Sequence, residues 1–374
     1  MRLVNTKTLT FEEFFETELP AYAILSHRWG AKEVDYKQIR KGKAKKGPGY
    51  AKFQECCALA ESRRCDWVWI DTCCIDKRSS AEVTEAVNSM YRWYQNAKEC
   101  YAYLHDVDSS DPYDVEQSDW FTRGWTLQEL LAPRSVIFFN SGWNRIGTKE
   151  EFATQIFAAT GIQYKYLKYQ HDFSSDSISV ATRMSWASRR ETSKPEDMAY
   201  SLLGLFNVNM PLLYGEGAVK AFLRLQSKIL KKSNDETIFA WTSNVPMRHG
   251  ILATKPEFFA NSGELMPIAL PLREQRKPWA TTNRGLRFEL KSGEYIESEN
   301  PHEITTILDC SKATGEYLAV LSFQRTRHTS WYRVNCGSLG SNVAKRDLSM
   351  RAEKSSGKVI YVQSDELPLS SYYV

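Results

Sequence analysis

The sequence contains no apolar run of roughly 18 residues or more, so no segment is predicted to span a membrane. Its first residues lack the charged-then-apolar pattern of a secretory signal, and we therefore expect the protein to stay in the cytoplasm. The formal net charge is only +4 over 374 residues, which is too small to predict nucleic-acid binding. The composition is otherwise that of a globular protein, 42% hydrophobic and 25% charged, in a chain long enough for two domains.

Cysteine is present, but not at the spacing that metal sites use. None of the eight cysteines forms a CxxC pair, and two pairs are adjacent: Cys56 with Cys57, and Cys73 with Cys74. A zinc ion usually needs a short spacer between two thiolate ligands, so no metal site is predicted. Disulfide frameworks are unusual inside cells, and we expect reduced, mostly buried thiols.

The basic stretch at residues 41–49 (KGKAKKGPG) is a loop by composition. It lacks the closing GK[ST] of a phosphate-binding P-loop. Two interpretations stay open from the residues alone. The stretch is either a solvated loop or an electropositive lip that attracts a phosphorylated ligand.

Apolar runs and helical periodicities alternate between residues 22 and 160. The predicted strands are 22–26, 66–71, 100–104 and 135–139, and the predicted helices are 50–64, 79–97, 118–133 and 149–160. A capping box at residues 10–13 predicts a short helix before them. Because strand and helix alternate, the fold class is predicted to be α/β, with a doubly wound parallel sheet.

Polar residues stand where three of these strands end. They are Ser26, His27 and Arg28 for the first strand, Asp71 and Thr72 for the second, and His105 and Asp106 for the third. In parallel α/β sheets, ligands bind outside the carboxyl ends of the strands. We therefore expect these residues to converge on one edge of the sheet, although each alone is also an ordinary turn or cap residue.

The segment at residues 118–133 combines Trp120, Trp125 and Glu129 in what is predicted to be mainly one helix. Glu129 follows Trp125 by four residues, so the carboxylate and the indole share one side of that helix. A carboxylate beside an indole is partly desolvated, which raises its pKa. The segment is either part of an active site or a docked helix whose glutamate is a salt-bridge partner.

Near residue 235 the sequence pattern changes from helical periodicity to short β-like runs. Residues 161–235 are predicted to be a helical extension, which includes an amphipathic helix at 216–232. Short β-like runs follow at 237–241, 285–290, 303–308, 317–323, 331–335 and 358–363. We therefore predict two domains, one at 1–235 with its α/β core at about 20–160, and an antiparallel β domain at 236–374.

Three blocks of the sequence resemble the signature blocks of the fungal heterokaryon-incompatibility (HET) domain. They are AYAILSHRWG at 21–30, WVWIDTCCIDK at 67–77 and WFTRGWTLQELLAP at 120–133. The tracts PEDMAYSLLGLF and MPLLYGEG at 195–217 resemble sequence that follows these blocks in such proteins. The resemblance covers roughly residues 1–240. It implies a role in fungal non-self recognition and regulated cell death.

The same blocks resemble, more distantly, parts of TIR domains, which implies a TIR-like or flavodoxin-like sheet. The WTLQEL tract at 125–130 resembles the TIR WxxxEL pattern, whose glutamate is needed to cleave the nicotinamide–ribose bond of NAD⁺. Carried onto this chain, that residue is Glu129. NAD⁺ would then be the substrate, with no separate cofactor. Because catalytic TIR domains act as assemblies, self-association is also implied, and a separate sensor protein is a possible partner.

The resemblance gives each candidate residue a role in NAD⁺ cleavage. Glu129 would face the oxocarbenium-like charge that develops on the ribose. The candidate substrate-binding residues are Ser26, His27, Arg28, Trp29, Asp71, Thr72, His105 and Trp125. Among them, Arg28 and His27 would bind the diphosphate or ribose. Trp29 or Trp125 would stack on a flat base, and Asp71 would bind a hydroxyl group.

Two alternatives from other classes stay open. In the first, the HET-like blocks form the core and interface of a non-catalytic module that triggers cell death by assembling with partners. In the second, Cys73 or Cys74 acts with His27 or His105 as a Cys-His hydrolase. The second alternative lacks the sequence context of a nucleophile elbow.

Overall fold

The computed structural model describes residues 1–42, 47–168, 178–245, 249–268, 277–291, 295–297, 300, 302–312, 318–325, 331–334, 336–337 and 358–363. Residues 43–46 of the predicted basic loop therefore lie outside the described residues. The chain divides into one unit of residues 1–172 and 190–212 and a second of residues 173–189 and 213–374. The two units interleave along the chain, and the domain boundary at residue 235 stays a prediction.

The first unit contains a seven-stranded sheet. Its strands are β1 (Arg2–Asn5), β2 (Phe11–Glu13), β3 (Ala23–His27), β4 (Trp67–Trp69), β5 (Glu99–Tyr103), β6 (Val136–Phe139) and β7 (Arg145–Thr148). Their order across the sheet is β2-β1-β4-β3-β5-β6-β7. The central strands β4, β3, β5 and β6 run parallel, whereas β1, β2 and β7 pair antiparallel. The α/β class is confirmed, but the sheet is mixed rather than entirely parallel.

The parallel strands are short apolar segments buried in the core. Every residue of β3 and of β6 is buried, and their sequences AILSH and VIFF contain no apolar–polar alternation that would suit one wet face. Such near-continuous apolar runs are typical of strands that are covered on both faces. The register pairs His27 of β3 with Tyr103 of β5 and Tyr103 with Phe139 of β6, so the carboxyl ends of these strands lie side by side.

The helices of the first unit lie between and after these strands. They are α1 (Tyr36–Arg40), α2 (Pro48–Ser62), α3 (Asp71–Cys74), α4 (Ser80–Asn96), α5 (Pro112–Gln117), α6 (Thr126–Leu131), α7 (Ala153–Thr160), α8 (Tyr164–Lys168) and α10 (Asp197–Tyr200). The predicted cap of α4 is present, because the Ser79 side chain accepts a hydrogen bond from the Glu82 backbone N–H. No described helix is both long enough and apolar enough to cross a membrane.

The N-terminal capping box does not start a helix. Residues 11–13 form β2, which pairs with β1 in the register Leu3 to Glu12. Phe15, which would face inward on the predicted helix, is 79% exposed. The prediction was wrong because strand pairing with β1, a contact made outside the local motif, satisfies the backbone groups that a helix would have satisfied.

The segment predicted as one helix at 118–133 is broken. A short 3₁₀ helix spans Asp119–Thr122, Arg123 is extended, and α6 begins only at Thr126. The backbone N–H of Gly124 donates to the Glu191 carbonyl at 2.8 Å. A Cβ at Gly124 would lie against the Thr192 side chain, so the close approach requires glycine. Pairing with a distant strand-like segment therefore interrupts the helix.

The second unit contains an eight-stranded sheet and the helices α9 (Val180–Ser185) and α11 (Ala218–Leu230). Its strands are β8 (Leu265–Pro267), β9 (Ala280–Thr282), β10 (Gly285–Leu290), β11 (Tyr295–Glu297), β12 (Glu303–Lys312), β13 (Leu318–Arg325), β14 (Trp331–Val334) and β15 (Lys358–Val362). The described pairs are antiparallel except β14 with β15, which is parallel, so this sheet is also mixed. The run predicted at 237–241 is not a strand, because Glu236–Phe239 forms a 3₁₀ helix.

Candidate functional site

The candidate site lies at the carboxyl edge of the parallel strands in the first unit. His27 is the last residue of β3, and Ser26 precedes it. Asp71 begins α3 two residues after the end of β4. The helix α6 brings Glu129 to the same edge, where it contacts Ser26. The chain therefore brings these four side chains together from three separate segments of the sequence.

Glu129 is buried, with 7% of its surface exposed. The Ser26 hydroxyl donates to Glu129 Oε2 at 2.5 Å, and the Trp120 Nε1–H donates to Ser26 Oγ at 2.9 Å. Both partners are also buried. The glutamate that the resemblance singled out is thus held by a chain of two hydrogen bonds, one of which comes from a tryptophan given no role in the sequence analysis.

The environment of Glu129 favours its neutral form. Burial raises the pKa of Glu129 to about 8, since the charged carboxylate loses hydration. The Ser26 hydroxyl lowers this pKa, and the negative charge of Asp71 raises it. A carboxyl group with this pKa is mostly protonated at pH 7 and becomes mostly ionised only above about pH 8.

His27 lies between two acidic side chains. Its Nε2 is 3.7 Å from Glu33 Oε2, and its Nδ1 is 3.9 Å from Asp71 Oδ1. The buried atoms His27 Nε2 and Asp71 Oδ1 have no hydrogen-bond partner among the described residues. The other oxygen of Asp71 accepts the Trp29 Nε1–H at 2.7 Å. Asp71 Oδ1 is therefore an acceptor available to a ligand hydroxyl group beside Glu129.

Glu33 was missed by sequence reasoning. Lys52 Nζ and the backbone N–H of Gly30 each donate to Glu33 Oε1 at 2.5 Å. Although burial raises it, contacts with His27, Lys52 and Gly30 lower the pKa of Glu33 to about 2. Glu33 is thus a fixed negative charge beside His27. No local sequence motif predicts this role of Glu33, because Lys52, which binds it, lies in α2.

A second cluster surrounds Asp119. Arg28 forms an ion pair with Asp119. His105 Nδ1 is 3.7 Å from Asp119 Oδ1 and 3.9 Å from Asp106 Oδ1. Burial and the charge of Asp106 raise the pKa of Asp119. Among the described residues, His105, Asp106 and Asp119 are the one group whose ligand atoms, all within 4.8 Å of one another, could hold a metal ion.

Trp29 is 45% exposed, as suits a stacking surface, but the ammonium group of Lys77 lies 3.3 Å from the centre of its ring. The Trp125 Nε1–H donates to Asp197 Oδ2 at 3.3 Å. Thr72 is buried within α3. Of the predicted binding residues, the structure therefore joins Ser26 to Glu129 directly, whereas Trp125 and Thr72 have no described hydrogen bond to that pair.

The Cys-His hydrolase alternative is disfavoured by the surroundings of the two thiols. Cys73 Sγ donates to the Ile70 carbonyl at 3.7 Å, and Cys74 Sγ accepts the Ile70 N–H at 3.3 Å. Burial raises the pKa of Cys73 well above its usual range, which disfavours the nucleophilic thiolate. All eight cysteines are buried and none forms a disulfide, as predicted.

The strand ends that carry Ser26, His27 and Asp71 lie within a part of the chain that matches known proteins, and the family match ends before Glu129. Residues 22–115 match the model of the family described as heterokaryon incompatibility protein (HET). A vegetative incompatibility protein of Podospora anserina, HET-E-1, is 46% identical over 227 residues. Residues 22–115 are therefore similar to the heterokaryon-incompatibility family. The HET-E-1 match covers 57% of this chain but only 16% of that relative, and no solved structure matches the chain.

Proposed function

We propose that this protein acts in fungal incompatibility as a cell-death effector that cleaves NAD⁺ between nicotinamide and ribose. The observation that carries the proposal is the position of Glu129. It is a buried carboxyl group at the carboxyl edge of the parallel strands of a mixed sheet, hydrogen-bonded to Ser26 of the first parallel strand. The similarity to a protein named for vegetative incompatibility supports the biological part.

The topology supports a distant kinship with TIR domains. In chain order the parallel strands are β3, β4, β5 and β6, and in space they follow the order β4-β3-β5-β6. Numbered by sequence, this order is 2-1-3-4, which matches the first four positions of the 2-1-3-4-5 order of flavodoxin-like sheets. In such sheets the ligand site lies between the first and third strands, here β3 and β5, which carry His27 and Tyr103 at their ends.

In the proposed reaction, the bond between the ribose carbon and the nicotinamide nitrogen breaks, and its electron pair leaves with neutral nicotinamide. The ionised Glu129 stabilises the positive charge that develops on the ribose. Asp71 Oδ1 accepts a hydrogen bond from a ribose hydroxyl, and Arg28 binds a phosphate oxygen after leaving Asp119. Water then supplies the hydroxyl of the ribose product and releases a proton.

The test is nicotinamide release from NAD⁺ by the purified full chain, with Glu129→Gln in parallel. The proposal expects release by the unaltered chain and a loss of about 10²-fold or more in Glu129→Gln, because a charge facing the transition state is removed. Glu151→Gln is the matched control, since Glu151 is an exposed partner of Arg145 outside the site. Equal nicotinamide release by all three proteins, or no release from a folded concentrated sample, contradicts the proposed enzymatic activity.

A second candidate function is a non-catalytic module that triggers death by assembling with itself or with a separate sensor protein. The low exposure of Glu129 favours it, because a substrate must gain access to a side chain that is 93% buried. Expression of Glu129→Gln in fungal cells separates the two functions. An assembly module keeps killing cells when the carboxyl group becomes an amide of the same shape, whereas a glycohydrolase stops.

A further inference from the structure

Two stacked aromatic rings lie at the carboxyl edge of the parallel strands and have no role in the proposed reaction. Tyr103 is the last residue of β5 and lies opposite His27 in the sheet register. Trp143 belongs to the loop between β6 and β7. Its ring is stacked on that of Tyr103, with the ring centres 4.7 Å apart and the planes at 25°. Both side chains, here called the aromatic pair, are partly exposed, so they are not simply part of the buried core.

The loop that carries Trp143 is held in one shape by Asn140. The side-chain oxygen of Asn140 accepts hydrogen bonds from two backbone N–H groups of the loop, at 3.0 Å and 3.1 Å. Its side-chain amide donates to the Asp108 carbonyl at 3.0 Å, which ties the loop to the segment that follows β5. The Tyr103 hydroxyl group donates to the Ser141 carbonyl at 3.1 Å. The orientation of the aromatic pair is therefore fixed before any ligand binds.

The backbone at Trp143 is left-handed, with φ of 58°. This conformation is costly for a bulky residue, and the flanking Gly142 and Asn144 belong to residue types that adopt it more readily. Leu9 and Arg64 are also left-handed, but they lie at the opposite, amino edge of the parallel strands. Trp143 thus combines backbone strain with a position at the edge where ligands bind, and such strain is typical of functional positions.

The stacked arrangement occupies only one face of each ring. Among the described residues, the ring contacts of Trp143 are with Tyr103 and with Phe139, whose centre is 6.2 Å away at a tilt of 43°. No second described ring is stacked on the indole, which is partly exposed. The indole is therefore a surface on which a flat ligand ring can stack, and such stacking tolerates any heteroaromatic base.

We propose that the aromatic pair binds the adenine base of NAD⁺, which stacks on Trp143. The assignment rests on the proposed function and extends it to the second ring of the substrate. The bond that is cut must lie against Glu129, which contacts Ser26 of β3, so the nicotinamide ring belongs there. The end of β6 lies two strands further along the sheet, roughly 10 Å from β3. Because a diphosphate and a second ribose separate the two rings of NAD⁺, the aromatic pair suits the adenine end.

The tryptophans that the sequence suggested for stacking suit this task less well. Trp29 already binds the ammonium group of Lys77, which lies 3.3 Å from the centre of its ring. The Trp125 indole is engaged by Asp197. Tyr103, in contrast, carries no charge at neutral pH, because burial and the negative charge of Glu33 raise its pKa. The aromatic pair therefore offers a neutral stack to a neutral base.

The test is the binding of ADP-ribose to the purified full chain, measured by calorimetry, which requires no cleavage. We expect Trp143→Leu to weaken this binding by about 10-fold or more, because the variant loses one base–aromatic stack. Trp143→Phe keeps a smaller flat ring and should lose less affinity. The matched control is Trp67→Leu, which removes a partly exposed tryptophan at the amino end of β4 and should bind ADP-ribose like the unaltered chain.

Fragments of the ligand then identify the ring that stacks. The affinity for AMP should depend on Trp143 as that for ADP-ribose does, whereas ribose 5-phosphate, which has no base, should not distinguish Trp143→Leu from the unaltered chain. If nicotinamide mononucleotide shows the dependence and AMP does not, the aromatic pair holds the nicotinamide ring and the assignment is wrong. An unchanged affinity of Trp143→Leu for ADP-ribose, or no binding by the unaltered chain, also overturns it.

Failure of this inference and failure of the proposed function give different results. A chain that binds ADP-ribose through Trp143 but releases no nicotinamide supports the adenine site and contradicts the glycohydrolase. A chain that releases nicotinamide while Trp143→Leu binds ADP-ribose with unchanged affinity supports the glycohydrolase and contradicts the adenine site.

Discussion

Glu129 should make the protein less stable as the pH rises, and Glu129→Gln should remove this effect. The pKa of Glu129 is about 8 in the folded chain, against 4.5 for an unperturbed glutamate. Between these values the folded state binds a proton that the unfolded state has lost. The unfolded state then binds fewer protons, so the free energy of unfolding falls with increasing pH. The loss begins above the unfolded pKa and levels off above the folded one.

The size of the stability loss follows from the difference between the pKa values of Glu129 in the folded and unfolded states. Each pH unit within the window costs about 1.4 kcal/mol of stability. From pH 5 to pH 7 the unaltered protein should lose about 2.5 kcal/mol relative to Glu129→Gln, and about 3.5 kcal/mol by pH 8. Glutamine keeps the shape and can accept from Ser26, but it does not titrate. The comparison therefore isolates one proton from all other titrating groups.

The assay is urea unfolding followed by tryptophan fluorescence at pH 5, 6, 7 and 8 for both proteins. The control is Glu151→Gln, whose parent carboxylate is exposed and whose pKa is lowered by Arg145. Its stability difference from the unaltered chain should not grow in favour of the variant over this range. A constant difference for Glu129→Gln between pH 5 and pH 8 would refute the argument, since Glu129 would then titrate at its usual pKa.

Nicotinamide release should increase as the pH rises through about 8, because only ionised Glu129 stabilises the ribose cation; a rate that falls over this range would contradict its role. Gly204→Ala should lower the free energy of unfolding by about 1–3 kcal/mol, since the new methyl group meets the Tyr91 side chain, whereas Gly30→Ala has room and should change it little. A thiol reagent should modify none of the eight cysteines rapidly until the chain unfolds, because all are buried, and rapid native labelling would show otherwise.

The α/β character was readable from the sequence because it depends on local signals. The apolar runs before Ser26 and Asp71 and the cap at Ser79 each specify an element within a few residues. Parallel strands end on the same edge, so the expectation that Ser26, His27 and Asp71 would lie near one another needed no knowledge of side-chain contacts. Periodicity and topology were sufficient for this much of the candidate site.

The features that the sequence did not predict depend on distant partners. The cap signal at residues 10–13 is outweighed by pairing with β1. The helix before Glu129 is interrupted because Gly124 bonds to Glu191, which lies 67 residues away in the chain. Glu33 becomes a fixed charge only because Lys52 reaches it from α2. Local secondary-structure propensity does not depend on these distant contacts. The roles of such residues can therefore be recognised only in the folded structure.

The two candidate functions differ in whether the burial of Glu129 has a purpose. A core glutamate that merely supports an interface gains nothing from titrating near neutral pH, and a glutamine of equal shape would satisfy Ser26 without the cost of a perturbed acid. In the proposed reaction the carboxylate must ionise to face the ribose cation, so the burial of Glu129 is a cost that is expected only where the residue has a chemical task. The presence of an acid where an amide would be more stable therefore favours the catalytic function over the assembly module. A buried residue that lowers the stability of the fold is expected where that residue has a chemical task.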